Sequence, residues 1–307
     1  MFRKLYNQAV LTGFLIPKGP VLIVKGGAAL DPTTPDMAFV RTMRNGVPTV
    51  YLPGASIKGV LRAHVERLLA TFIDPAAAED PFVFQSPRRR QAREQRRSTP
   101  AVFRLSCEAD RLFGSTEISG RFRIGDAHPT PETLAAANQT EIRYNVAIDR
   151  SRQSARNGGL FDQEAVTSGR FAFQATLENF ELWMLSLVLQ ATRDLHQGLI
   201  QIGHSKSRGF GSMGIEDPSL VLRWPGHAPS RLQGVGACES SESVRKSYGL
   251  ESADSAPLPP ERTAIEEGLF QGYRFDGWTP VLSVFSELSG APWQQFVERA
   301  QRGLHGA

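Results

Sequence analysis

Six stretches of the chain carry a regular apolar rhythm, and their order restricts the fold more than any other feature. Residues 5–16 alternate as a strand does. Within 56–70, Ile57, Val60, Leu61, Val65, Leu68 and Leu69 recur at helical spacing. Residues 119–126 and 169–178 alternate again, 180–196 form an apolar helix around Trp183, Leu187 and Leu189, and 208–222 close as a strand. The order β-α-β-β-α-β is ferredoxin-like, so the expected class is α+β. Residues 1–224 would make this domain, with insertions at 17–52, 74–104 and 128–168.

The insertions differ in character. Gly26–Asp36 is a loop of Gly, Pro and Thr with two acids, Asp31 and Asp36. Asn45-Gly46 between Ala38–Met43 and Val47–Leu52 is a hairpin signal. Arg88–Arg97 holds six Arg in ten residues and reads as a mobile, solvated insertion. The excursion 128–168 has a basic, glycine-ended tip. Residues 225–262 are Pro-, Gly- and Ser-rich and read as a linker. Residues 263–307 regain apolar content, with a helix expected over Trp293–Leu304 in a small helical extension.

Charge is unevenly spread. Basic residues outnumber acidic ones 28 to 21 over 1–224, but are outnumbered seven to ten after it. Arg exceeds Lys 29 to 6, and Arg suits bidentate phosphate contacts. The two cysteines, Cys107 and Cys238, lie too far apart for a C-x-x-C zinc motif and exclude a disulfide framework. There is no signal-peptide core and no membrane-length apolar run, so a soluble, cytoplasmic protein is expected.

Two stretches offer phosphate-binding chemistry. Pro53-Gly54 turns the chain into the first helix, where Ser56 is a candidate cap and Lys58 and Arg62 share the face opposite the apolar one. Ile202–Ile215 sets Lys206, Ser207, Arg208 and Phe210 among four glycines. Glycine lets backbone approach a ligand, the polar side chains donate, and Phe210 offers a face for a base. Arg143, Arg150 and Arg152 of the basic excursion join the candidate nucleic-acid contacts. His64 beside the apolar stripe reads as a packing residue, Cys107 as buried and inert, and His204 as a turn cap or RNA contact.

The motifs Leu52-Pro-Gly-Ala-Ser-Ile-Lys-Gly59, Leu112-Phe-Gly-Ser115, Gly120-Arg-Phe-Arg-Ile-Gly-Asp126, Val146-Ala-Ile-Asp-Arg150, Leu160-Phe-Asp162 and Gly203–Gly214 occur in this order. Together they resemble the RAMP superfamily of CRISPR proteins, and most closely the backbone-forming subunit of type III effector complexes. The resemblance spans roughly 5–222. It implies a ferredoxin-like, RNA-recognition-motif-like palm that grips guide CRISPR RNA, and a thumb formed by 128–168. It also implies assembly with other copies or paralogues of the subunit and with other type III effector proteins, and pairing with a complementary target RNA. No membrane is involved.

In slicing members of that family a loop after the first strand carries a catalytic Asp followed by apolar residues and a basic one. Asp36-Met-Ala-Phe-Val-Arg41 fits that pattern; Asp31 fits less well. RNA carries its own nucleophile, the 2′-hydroxyl, so cleavage needs in-line geometry, charge neutralisation and proton transfer. Asp36 would serve as the catalytic acid and as the ligand of a divalent ion, Mg²⁺ or Mn²⁺. The reading is thus a metal-dependent endoribonuclease. Its alternatives are a non-cleaving guide-binding scaffold and a guide-processing ribonuclease that relies on His, Tyr or Lys.

Overall fold

The computed structural model describes residues 3–26, 34–79, 87–95 and 98–305; Asp31, Arg96 and Arg97 lie outside these. The chain is α+β, as its rhythm implies. Strand β1 (Gln8–Pro17) turns Ala9, Leu11 and Leu15 into the core. Strands β2 (Arg41–Arg44) and β3 (Val47–Val50) form the expected hairpin. Its turn has φ 50° at Asn45 and 79° at Gly46, the left-handed pair that a two-residue type I′ turn requires.

Helix α1 (Gly54–Phe72) follows, burying Ile57, Leu61, Val65 and Leu69 along one face. Three short helices come next: α2 (Pro87–Glu94), α3 (Thr99–Leu105) and α4 (Glu108–Phe113). The Arg run was expected to be a mobile insertion. Its described part is instead helix α2, which buries Ala92, while Arg88 donates to the Ala76 carbonyl at 3.2 Å.

Strands β4 (Phe122–Ile124) and β5 (His128–Pro129) return to the sheet. Helix α5 (Leu134–Asn138) leads into a long hairpin of β6 (Glu141–Asp149) and β7 (Ser154–Ala165). Strand β8 (Phe171–Glu178), helix α6 (Leu182–His196) and strand β9 (Met213–Pro225) complete the second β-α-β passage.

Beyond Trp224 the chain departs from expectation. The stretch 225–262 is no linker: it holds β10 (Leu232–Gln233), α7 (Val235–Cys238), α8 (Glu242–Tyr248) and β11 (Ser255–Ala256). Val235, Tyr248 and Leu250 are buried with Val102 and Phe103 of α3, forming a second small core. Nor is the remainder only helical. Strands β12 (Thr263–Glu267) and β13 (Phe270–Asp276) precede α9 (Trp278–Ser289) and α10 (Ala291–His305).

The sheet runs β12-β13-β9-β1-β8-β4, with β5 also paired to β8, and every pairing is antiparallel. Strand β13 pairs with β9 from Phe270↔Pro225 to Asp276↔Ser219, so the tail extends the sheet rather than trailing from it. Helices α1 and α6 pack on the face of Leu11 and Leu15, where Ile57, Leu61, Thr192 and Leu195 meet Phe173 and Ala175. Most of α6 is buried all round, because α9 and α10 cover the side that α1 and the sheet leave open. Arg121 is buried at this junction. Its guanidinium lies 4.6 Å over the Phe103 ring and 3.8 Å from Glu181, and burial drags its pKa down to about 10.

Candidate nucleic-acid interface

The groove between α1 and the glycine loop gathers several of the residues singled out in the sequence. Gly54 starts the helix where it nearly touches β4: a Cβ there would lie 2.5 Å from the Ile124 carbonyl oxygen. Its N–H donates to Asp126 Oδ1 at 2.8 Å. This corrects the reading of Ser56 as the cap. Pro53 holds the cap position, and Asp126, across the sheet, accepts the orphan donor. Ser56 is left half-buried, lining the groove with Gly59 and Ala63 opposite Gly203, His204 and Lys206.

The opposite wall depends on backbone that only glycine allows. Gly203 has φ +91°, and a Cβ would lie 2.2 Å from the Leu22 carbonyl oxygen. The His204 N–H donates to that same carbonyl at 2.7 Å. Ser205 is then buried and acts as a hub. Its Oγ accepts from Gln163 Nε2 at 2.7 Å and from Arg208 Nη2 at 2.9 Å, and lies 3.1 Å from His204 Nδ1. Lys206, Ser207 and Arg208 follow in an exposed 3₁₀ turn, with the Arg208 guanidinium 5.4 Å over the Phe161 ring.

Lys206 lines the groove and Lys58 stands on α1, and each has other cations beside it. Burial lowers the Lys58 pKa, and the charges acting beside it, Arg62 and Arg123, lower it further. The pKa of Lys206, though its side chain is exposed overall, is lowered too, by partial desolvation against the groove wall and by Arg67.

Two expected contacts are spent elsewhere. Arg62 donates to Glu66 at 2.7 Å, to Asp110 at 2.8 Å and to the Gly114 carbonyl at 2.6 Å. Its side chain clamps α1 to α4 instead of facing RNA. Phe210 is only 4% exposed and belongs to the core, so it offers no face for a base. Arg143 lies 5.4 Å over its ring and 3.2 Å from Glu141. Arg150 and Arg152 are exposed at the tip of the β6–β7 hairpin. His64 is engaged at both nitrogens, at 2.6 Å by Asp194 and at 3.2 Å by Arg67, in keeping with a packing role. Cys107 is buried, and burial together with Asp110 raises its pKa to about 11.

Asp36 is exposed and sits at the base of that hairpin. Its N–H donates to Asp162 Oδ1 at 2.6 Å, and the Asp162 N–H donates back to Asp36 Oδ2 at 3.2 Å. The Met37 N–H reaches the Asp162 carbonyl at 3.2 Å, and the Glu164 N–H reaches the Met37 carbonyl at 3.0 Å. Arg41 forms a bidentate ion pair with Glu164, whose carboxylate also accepts from Thr140 and from the Phe39 N–H. Burial pushes the Glu164 pKa up, but these donors outweigh it and hold the group below the usual carboxylate range.

The sequence reading missed Asp162, Gln163, Glu164 and Ser205 as parts of this site; their partners lie far along the chain. It also missed the outer face of the hairpin. Ile142, Tyr144, Val146 and Ile148 stand exposed there, Tyr144 at 75%, with Leu160 beside Val146. Their period-two spacing was the available signal.

Among the described residues no group of three or more His, Cys, Asp or Glu side chains could hold a metal ion. Asp36 offers an exposed carboxylate, while Asp162 Oδ1 already accepts the Asp36 N–H. Hard carboxylate oxygens suit Mg²⁺ or Mn²⁺, which keep several waters and take one or two carboxylates plus phosphate oxygens. No helix among the described residues is long and apolar enough to cross a membrane.

The RAMP superfamily matches residues 20–214, from the first loop to the start of β9. The chain belongs to the RAMP superfamily. That family comprises CRISPR-associated RNA-binding proteins, and the matched span holds the groove, the acidic loop and the β6–β7 hairpin of this RAMP protein. Strands β12 and β13 and helices α9 and α10 lie beyond it. Among curated proteins no sequence matches the chain significantly.

Proposed function

We propose that this RAMP protein is a backbone subunit of a type III CRISPR ribonucleoprotein that binds guide RNA and cleaves complementary target RNA. On this reading the β9-β1-β8-β4 half of the sheet with α1 and α6 is a ferredoxin-like palm, and the β6–β7 hairpin is its thumb. Guide phosphates run along the groove between Ser56, Lys58 and Lys206, with Ser207 and Arg208 at its rim. Arg143, Arg150 and Arg152 serve the thumb. Partners are the guide, the target, further backbone copies and other type III subunits.

The observation that carries the reading is the docking of the Asp36 loop on the thumb base, beside the Gln163–Ser205 bond that ties the thumb to the groove wall. In that place a carboxylate stands at the junction between guide and target. Asp36 would hold a divalent ion, which supplies neutralisation of charge developing on the phosphoryl oxygens. The chain's own residues do the rest. The thumb splays a target nucleotide so that its 2′-oxygen faces phosphorus in line with the leaving 5′-oxygen. The Asp36 carboxylate takes the 2′-hydroxyl proton as the 2′-oxygen bonds phosphorus; the P–O5′ bond breaks to leave a 2′,3′-cyclic phosphate, and the 5′-oxygen leaves with a proton from water. Lys58 and Lys206 keep the guide fixed while the target moves.

A scaffold without cleavage is the second reading, favoured by the engagement of Asp36 Oδ2 with the Asp162 N–H. The test is an assembled complex with labelled complementary RNA, with Mg²⁺ or Mn²⁺ and with EDTA. Asp36→Ala should leave guide and target binding intact and cut cleavage by orders of magnitude. Undiminished cutting by the variant moves the acid elsewhere; no cutting by the unsubstituted protein under either metal favours the scaffold.

A further inference from the structure

We infer that Asp162, on the thumb strand, is the positioning residue that sets where the Asp36 carboxylate points. This rests on the reading above of Asp36 as the cleaving acid, and it adds a residue and a route of control.

The loop that carries Asp36 has hydrogen-bonded rows on both sides. On one side Met37 bridges Gln163 in parallel register, through the Asp162 and Met37 carbonyls. On the other, the Lys25 N–H donates to the Ala38 carbonyl and the Val40 N–H to the Ile23 carbonyl, each at 2.9 Å. Both rows constrain residues 37–40. Asp36 lies at the end of the zipper, the last residue there with β7 backbone pairing beside it among the described residues. What holds it is the Asp162 carboxylate, whose Oδ1 fixes the Asp36 N–H at 2.6 Å. With its N–H fixed and its Oδ2 drawn to the Asp162 N–H, the Asp36 side chain has one oxygen, Oδ1, without a hydrogen bond among the described residues.

The brace belongs to the thumb and not to the palm. Strand β7 carries Asp162, Gln163 and Glu164 in succession. Asp162 takes Asp36, Gln163 takes Ser205 of the groove wall, and Glu164 takes Arg41 and Phe39. One short piece of strand therefore connects the acid, the groove and the hairpin whose outer face is exposed. Any displacement of the thumb base by a bound duplex is delivered to Asp36 through Asp162. A carboxylate out of place by about 1 Å costs roughly a hundredfold in rate.

Two substitutions at one position separate bracing from direct action. Asp162→Asn keeps an oxygen for the Asp36 N–H and removes the charge; Asp162→Ala removes both. The readouts are amide hydrogen exchange over 34–40 in the full chain, and single-turnover cleavage with target affinity in the assembled complex. The expected result is faster exchange over 34–40 for Asp162→Ala alone. Its cleavage rate should fall about 10- to 100-fold, with target affinity within twofold, while Asp162→Asn stays close to the unsubstituted protein in both readouts. Unchanged protection in Asp162→Ala overturns the inference. So does an Asp162→Asn variant that keeps the loop protected yet loses cleavage as fully as Asp162→Ala, since the charge would then act directly. If the unsubstituted complex does not cut, the cleaving role fails, and the exchange result alone decides whether Asp162 holds the loop.

Discussion

Arg299 on the last helix donates to Glu181 at the start of α6, 3.1 Å away and 118 residues earlier in the chain. The Glu181 carboxylate is almost fully buried and also faces Arg121. Removing the tail thus strands a buried acid and uncovers the outer side of α6. The stretch 225–262 read as a linker to a separate extension; this contact, together with β13, predicts instead that the C-terminal residues are needed for the fold. A chain ending at Trp224 should be insoluble or fail to unfold cooperatively. Arg299→Ala in the full chain should cost about 2 kcal/mol, less than the roughly 3–5 of a fully buried pair because Arg299 is partly exposed and Glu181 keeps Arg121. Urea unfolding of both variants checks this; a soluble, cooperatively folded chain ending at Trp224 would restore the linker reading.

Asp254 gives the same region a pH dependence. Burial raises its pKa from 3.8 to about 7, and Glu181 adds to the rise against the Leu182 N–H and Arg299. Its Oδ1 accepts from the Leu182 N–H at 3.1 Å, while Oδ2 has no hydrogen-bond partner among the described residues. An acid whose folded pKa is raised is protonated more readily when folded than when unfolded. Its penalty is absent below 3.8, grows as pH rises, and is complete above about 7. Asp254→Asn keeps Oδ1 and removes the charge. It should raise the melting temperature at pH 8 by several degrees, for a gain of the order of 2–4 kcal/mol, and change it little at pH 4. Equal effects at the two pH values would show that Asp254 is not the titrating group.

Much of the palm was legible because its signals are local. The alternation of β1 and β8, the helical rhythm of α1 and the Asn45-Gly46 turn each need only neighbouring residues. What stayed hidden depended on partners far along the chain. Ser56 has the right chemistry for a cap, but Asp126, on the loop after β4, takes the Gly54 N–H instead. Arg62 looks like a phosphate ligand until Asp110 arrives from α4. The stretch 225–262 has too few apolar residues to announce a core, yet Val235, Tyr248 and Leu250 find theirs on α3. Asp36 was readable as an acid in a loop; that Asp162 would face it was not, because 126 residues separate the two.

Phe210 supplies a direct test of how the glycine loop works. It packs in the main core beneath Arg143, so its loss should behave as a cavity and not as a missing platform. Phe210→Ala should destabilise the protein by about 3–5 kcal/mol. The milder Phe210→Leu should leave RNA affinity unchanged where the protein is folded. Selective loss of RNA binding by a fully stable Phe210→Leu variant would return Phe210 to the interface.

The cations divide into two classes that a binding experiment can tell apart. Lys58 and Lys206 lie among other cations, and both hold their protons less firmly than ordinary lysines because of burial and those neighbours. On the proposed function each meets a guide phosphate, a contact that carries no sequence information. The double variant Lys58→Ala/Lys206→Ala should therefore weaken guide RNAs of different sequence by the same factor. It should also reduce the slope of log affinity against log salt by about 1.4, at roughly 0.7 per single-strand phosphate contact. Arg62 belongs to the other class, since its donors already meet Glu66, Asp110 and the Gly114 carbonyl. Arg62→Ala should leave the salt slope unchanged and lower the unfolding free energy by about 2–4 kcal/mol, because the buried Asp110 loses this ion pair. Filter-binding titrations across a salt series, paired with thermal melts of the same variants, separate the outcomes. A lysine effect confined to one guide sequence would mean base readout. A change in salt slope for Arg62→Ala without loss of stability would bring that arginine back to the RNA.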